Sequence, residues 1–169
     1  MTNKRNISLI VGLSIPVLMI LFVAGSIYLP GIFIKPKYNF VYVSGYDYYH
    51  GRQYSVSNNI LVKNQITYPD TYKPGVEPKL FLHDVRANQS NEISFEDAQK
   101  FDLDPSPVSK DGFEVVYGSR GEGVFPLFFF SDKDYNSRFI KGHNISNKLN
   151  VQLVGNYYNN FQFMGWVNK

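Results

Sequence analysis

Apolar positions follow two different patterns along this chain, and the change comes near residue 37. Between Ile7 and Leu29 no charged residue occurs, and apolar side chains follow one another without the three-to-four spacing of an amphipathic helix. A helix that is apolar all round must be covered on every side, by a protein core or by lipid. At about 1.5 Å per residue this run rises about 34 Å, against about 30 Å for a bilayer hydrocarbon core. The pattern therefore predicts one transmembrane helix over 7–29, with a short tail at 1–6 and a juxtamembrane linker at 30–37. A cleavable secretory signal carries a shorter apolar region, about 7–15 residues. Ala24-Gly25-Ser26 nevertheless supplies the small residues that a signal peptidase accepts, so cleavage stands as the alternative. Pro16 lacks an amide hydrogen and predicts a kink in the span.

From Tyr38 onward the apolar residues alternate with polar ones over short stretches punctuated by Asn, Gly, Asp and Pro, as in β-strands joined by turns. "YNFVYVS" puts Phe40 and Tyr42 on one face, with Val41 and Val43 on the other. "QYSVS" and "ILVK" are separated by Asn58-Asn59, a pair that tolerates the left-handed backbone of a tight hairpin turn. "YPDTYKPGVEP" has too much Pro and Gly for regular structure. "KLFLHDV" reads as a strand and "RANQSN" as its turn. Ser94 followed by Asp97, with Phe95, Ala98 and Phe101 at helical spacing, predicts one short helix. Further strands are expected at "FEVVYG" after the Asp111-Gly112 turn, at "VFPLFFF", at "NVQLVG" and at "FQFMGWV". In the last of these, Phe161, Phe163 and Val167 would face one way, and Gln162, Met164 and Trp166 the other. The expected fold is a mostly β domain over 38–169, an antiparallel sheet with one short helix, preceded by the membrane helix.

Charge sharpens the division. Of 17 basic residues, Lys4, Arg5, Lys35 and Lys37 flank the apolar run, which leaves the rest of the chain close to neutral against its 14 acidic residues. No clustered Lys/Arg surface of the kind that releases counterions from phosphate is found there, so nucleic acid is not an expected partner. The basic flanks are almost balanced across the span. They lean toward a cytoplasmic amino terminus and an extracytoplasmic domain, a single-pass arrangement. With no cysteine, disulfides, thiolate nucleophiles and cysteine-based metal sites are absent together.

"KLFLHDVRANQSNEIS" followed by "DPSPVSKDGFEVVYGS", residues 79–119, resembles one blade unit of the TolB-type β-propeller repeats, through Leu80, Leu82, Asp84, Val85, Pro107, Asp111, Gly112 and Val115. The chain is too short for a closed ring of such blades, so the resemblance implies only a local strand, turn and strand. The apolar span together with "ISFEDAQ", "DGFEVV", "DYNSRFIKGHNIS" and "FMGWV" is similar to uncharacterised single-span membrane proteins of candidate-phylum bacteria. That similarity implies a bacterial envelope setting and no particular activity.

Candidate chemistry is sparse. Asp132, Asp134 and Asn136 have the alternate spacing that lets oxygen ligands converge on calcium, but Ser137 and His143 stand where an EF-hand needs glycine and glutamate. His50, His83 and His143 come from three separate segments, with no spacing that would place two on one face. Ser106 and Ser119 lack a nucleophile elbow, "GSRGEG" at 118–123 lacks the Lys-Ser/Thr of a phosphate loop, and Asp102 with Asp104 would need a cleft for acid/base work. The compositional excess is aromatic, with 13 Tyr and 14 Phe. Most of these suit strand packing, but "GYDYYHG" and "GNYYNNF" set Tyr46, Tyr48, Tyr49, Tyr157 and Tyr158 among turn residues, where amphipathic rings make a binding face. The leading expectation is a non-enzymatic, membrane-anchored envelope protein. It would be held in lipid through 7–29, bind protein or glycan through these tyrosines, and need no cofactor. The alternative is a calcium-dependent binder or enzyme using Asp132, Asp134 and Asn136 with His143.

Overall fold

The computed structural model of the protein describes residues 7–45, 51–66, 77–118, 137–143, 145–155 and 161–168. The chain divides into two compact units, Met1–Lys35 and Pro36–Lys169.

The first unit is built on helix α1 (Ile7–Phe33), which extends beyond the expected span through Pro30. Its apolar side chains stand exposed around the whole circumference, Leu13 at 71 % and Phe22 at 77 % among them. The hydroxyls of Ser14 and Ser26 turn back onto the carbonyls of Val11 and Val23, at 3.0 and 2.8 Å, so both are satisfied within the helix. Among the described residues, no helix is long and apolar enough to cross a membrane.

The second unit is mostly β and antiparallel. In chain order it contains β1 (Phe40–Ser44), β2 (Tyr54–Ser57), β3 (Ile60–Lys63), β4 (Lys79–Asp84), β5 (Gln89–Ile93), α2 (Phe95–Ala98), β6 (Leu103–Asp104), β7 (Glu114–Tyr117), β8 (Arg138–Gly142), β9 (Ile145–Leu149) and β10 (Phe161–Val167). A five-stranded sheet runs in the order β5-β4-β1-β10-β6, beside a β2-β3 hairpin and a three-stranded sheet β7-β8-β9. The hairpin turns on Asn58 and Asn59, at φ 50° and 63°, the left-handed pair that a two-residue turn demands. Helix α2 begins as expected, with the Ser94 hydroxyl accepting from the Asp97 amide, though it lasts little more than one turn.

Both faces of the five-stranded sheet are buried. Phe40, Tyr42, Phe81, Phe161 and Trp166 meet Phe113, Ile140 and Leu149 from the β7-β8-β9 side. On the opposite face Val41, Val43, Leu80 and Met164 meet Tyr54 and Leu61 of the hairpin, with Ala98 and Leu103. This three-layer arrangement gives β1 five consecutive buried residues, as expected for a strand covered on both sides. Aromatic rings fill the first interface. Tyr42 stacks between Phe81 and Phe161, with ring centroids at 5.2 and 4.8 Å.

The face assignment of the last strand is corrected by a bulge. Tyr42 pairs with Phe163 and Val41 with Gly165, so Met164 is the extra residue. Beyond it the alternation inverts, which brings Trp166 to the face of Phe161 and puts Val167 on that of Met164. Gly165 lies against β6 so closely that an added Cβ would sit 2.9 Å from the Asp104 carbonyl oxygen.

Two further expectations change. The turn after β4 is shorter than "RANQSN", because Gln89 already pairs with Asp84. "NVQLVG" is not a strand but an extended strap laid against the five-stranded sheet and held to it by side chains. Strands β8 and β9 fall in a stretch that showed no alternation: Arg138, Phe139 and Ile140 are buried in succession, which conceals the two-residue period. The expected strand "VFPLFFF" lies outside the described residues.

Candidate functional site

Residues 46–50 and 156–160, with all five tyrosines of the expected binding face, lie outside the described residues, as do His50, Ser119, Asp132, Asp134 and Asn136. The strand ends that lead into the two tyrosine segments are described, and they are neighbours. Ser44, the last residue of β1, pairs with Phe161, the first of β10, and also with Lys79, the first of β4. Antiparallel pairing thus puts the end of β1 and the start of β10 at one end of the central sheet.

The same end carries a buried cation that sequence reasoning missed. Arg138, the first residue of β8, is fully buried. Its guanidinium carbon stands 3.9 Å from the ring centre of Tyr117 and 5.3 Å from that of Phe161. Tyr117 in turn donates its hydroxyl to the Phe161 carbonyl at 2.9 Å. A planar, weakly hydrated guanidinium suits such a ring-lined site better than an ammonium would. The signal available in the sequence was "SRFIKG", a basic residue flush against an apolar run.

The remaining candidates perform structural work. Asp104 accepts the Ser106 amide, and Asp102 accepts the Asn168 side-chain amide, so both carboxylates serve local turns and ends. Ser109, Asp111 and His143 come together, but not in the order of a nucleophile and its base. The Ser109 hydroxyl donates to the Asp111 carboxylate at 2.6 Å, and His143 Nε2 meets the Asp111 backbone oxygen at 2.7 Å. A carbonyl accepts, so Nε2 carries the proton and donates. The second carboxylate oxygen of Asp111 accepts the Lys37 amide at 2.8 Å. The group is a clasp that fastens the start of the β domain to the Asp111-Gly112 turn. Among the described residues no three His, Cys, Asp or Glu side chains gather in a way that would hold a metal.

His83 and Asp84 point to opposite faces of β4. Asp84 caps its own turn by accepting the Arg86 and Ala87 amides, and these bonds hold its carboxyl below the usual range. His83 is fully buried, stacked on Phe40 at 4.9 Å. Burial pushes its pKa down to about 4.

Comparison with protein-family models, curated proteins and solved structures gives no match.

Proposed function

We propose that α1 anchors this chain in a bacterial envelope membrane and that its β domain works outside the cytoplasm as a non-enzymatic binding module for protein or glycan. The observation that carries the anchor is the helix itself: Ile7–Phe33 contains no charged residue, and its exposed apolar side chains face every direction. Such a helix needs an apolar surrounding on all sides, and lipid supplies one. The slight excess of positive charge on the amino-terminal flank supports the outward orientation of the domain.

For the binding role, support comes from the pairing of Ser44 with Phe161, the two strand ends that lead into the segments carrying Tyr46, Tyr48, Tyr49, Tyr157 and Tyr158. Tyrosines contribute large contact area at low conformational cost, and the pairing of the strand ends is the ground for reading the two segments as one surface.

Two measurements test the reading. The full chain in isolated membranes should resist extraction by alkaline carbonate, and protease added to intact spheroplasts should remove the β domain. Release by carbonate overturns the anchor; protection of the domain in intact spheroplasts overturns the orientation. Chemical cross-linking on cells should then trap a reproducible neighbour that is lost when the five tyrosines are changed to serine. Unchanged cross-linking in that variant removes the tyrosine surface from the reading.

A further inference from the structure

Residues Asn150–Val154 cross the inner face of the central sheet without joining any strand, and side chains satisfy their backbone groups. The Asn150 amide donates to Asn88 Oδ1 at 2.9 Å. The Gln152 amide donates to the Tyr42 hydroxyl at 2.8 Å, and that hydroxyl donates back to the Gln152 carbonyl at 3.2 Å. The Val154 amide donates to Ser44 Oγ at 2.8 Å. Every second amide of this extended strap is thus held by a side chain.

One further tie runs through a titratable group. His83 Nδ1 lies 2.8 Å from Ser90 Oγ, and Ser90 Oγ donates to the Asn150 carbonyl at 3.3 Å. With its hydrogen committed to that carbonyl, Ser90 accepts from His83, so Nδ1 carries the ring proton and Nε2 is bare. Nε2 is buried and has no hydrogen-bond partner among the described residues. A second proton there would place a charge between apolar layers.

The Asp84 carboxylate and the Asn88 side chain favour a charged ring, but burial outweighs both. Asp84 is next in β4, but on the other face and engaged with its turn amides. Glu92 in β5 is paired with Lys79 at 2.9 Å. Strands β1 and β10 contribute no charged residue.

We propose that His83, Ser90 and the strap Asn150–Val154 form an acid-sensitive latch: on taking up a second proton the His83 ring leaves its buried place, and the strap lifts from the five-stranded sheet while the sheet stays paired. The inference stands apart from the binding role proposed above. Its size follows from linkage. With the ring titrating at about 4 when buried and at its ordinary 6.5 when released, opening is favoured about 30-fold at pH 5 relative to neutral pH.

Amide hydrogen exchange on the full chain in detergent micelles, corrected for intrinsic rates, tests it. Protection at Asn150, Gln152 and Val154 should fall about 30-fold between pH 7.5 and pH 5, should lie well below that of Val41 and Val43 in β1 at both pH values, and should change little with sub-denaturing urea, whereas protection in β1 follows global unfolding and falls with urea. In His83→Gln the strap should show no such pH dependence, and in Ser90→Ala it should already be loosened at pH 7.5. Strap amides as protected and as urea-sensitive as those of β1, or strap protection unchanged down to pH 5, would overturn the latch. If either variant fails to fold, the wild-type exchange profile by itself still separates a lifting strap from a fixed one.

Discussion

Replacing Tyr42 with phenylalanine isolates what the strap's side-chain bonds contribute. The ring stays, and with it the stacking on Phe81 and Phe161; only the hydroxyl is lost. That hydroxyl bonds both the amide and the carbonyl of Gln152, in a half-buried setting where water replaces it poorly. Leaving a buried polar group unmatched costs about 1–3 kcal/mol. Because partial solvent access relieves some of that penalty, we expect a loss of about 2 kcal/mol for the pair. In a domain of this size such a loss lowers Tm by ~7 °C. Tyr117→Phe is the matched control: its hydroxyl makes one bond, to the Phe161 carbonyl, and the residue is 54 % exposed. It should cost under about 1 kcal/mol. Thermal unfolding followed by near-ultraviolet circular dichroism reads both. A Tyr42→Phe protein that melts with the wild type, or a Tyr117→Phe protein that loses as much, would refute the claim that the strap is held by side chains rather than by packing alone.

Other expectations follow from single features. Since the folded pKa of His83 lies below its unfolded value, the unfolded chain binds the extra proton first; stability is unaffected above pH 6.5, falls as pH drops from 6.5 toward 4, and has then lost about 3 kcal/mol. Urea midpoints should show that decline in the wild type and not in His83→Gln. Gly142→Ala should cost about 1–3 kcal/mol by chemical denaturation, because its Cβ would stand 2.5 Å from the Gly112 carbonyl oxygen and 2.7 Å from Phe113 Cδ1. Gly12→Ala, with nothing within 4 Å, should leave the fold untouched. At Asn59, where φ is 63°, glycine should be tolerated while valine destabilises by about 1–3 kcal/mol in the same assay.

Legibility in the sequence tracked how local the determining physics was. The Asn58-Asn59 turn and the Ser94 cap depend on a few adjacent residues, and both were readable. So was β1, whose neighbours on both faces are apolar. Met164 was not: whether a residue is extra depends on the register of a partner strand more than a hundred residues away, and the local alternation gives no hint of it. The strap failed for a related reason. "NVQLVG" has the apolar spacing of a strand, but its amides bond Asn88, Tyr42 and Ser44 side chains, and those partners become visible only in three dimensions. Strand β8 was hidden by burial on successive positions, and β9, polar at its three central residues with one buried position in five, carries little apolar alternation to read. Of the candidate site, the tyrosine segments were picked out by composition, whereas the adjacency of the strand ends that lead into them came from topology.

The pairing of β1 with β10 sets the order of events during synthesis. Until the ribosome has delivered Phe161–Val167, β1 has a neighbour only in β4, and its other edge stays open. Leu103 and Asp104 have no strand to join in that interval. A nascent chain with such a long-range closing step folds late and exposes an aromatic edge while it waits. Holdase chaperones that recognise extended apolar segments would find their target in Phe40–Ser44 during that delay.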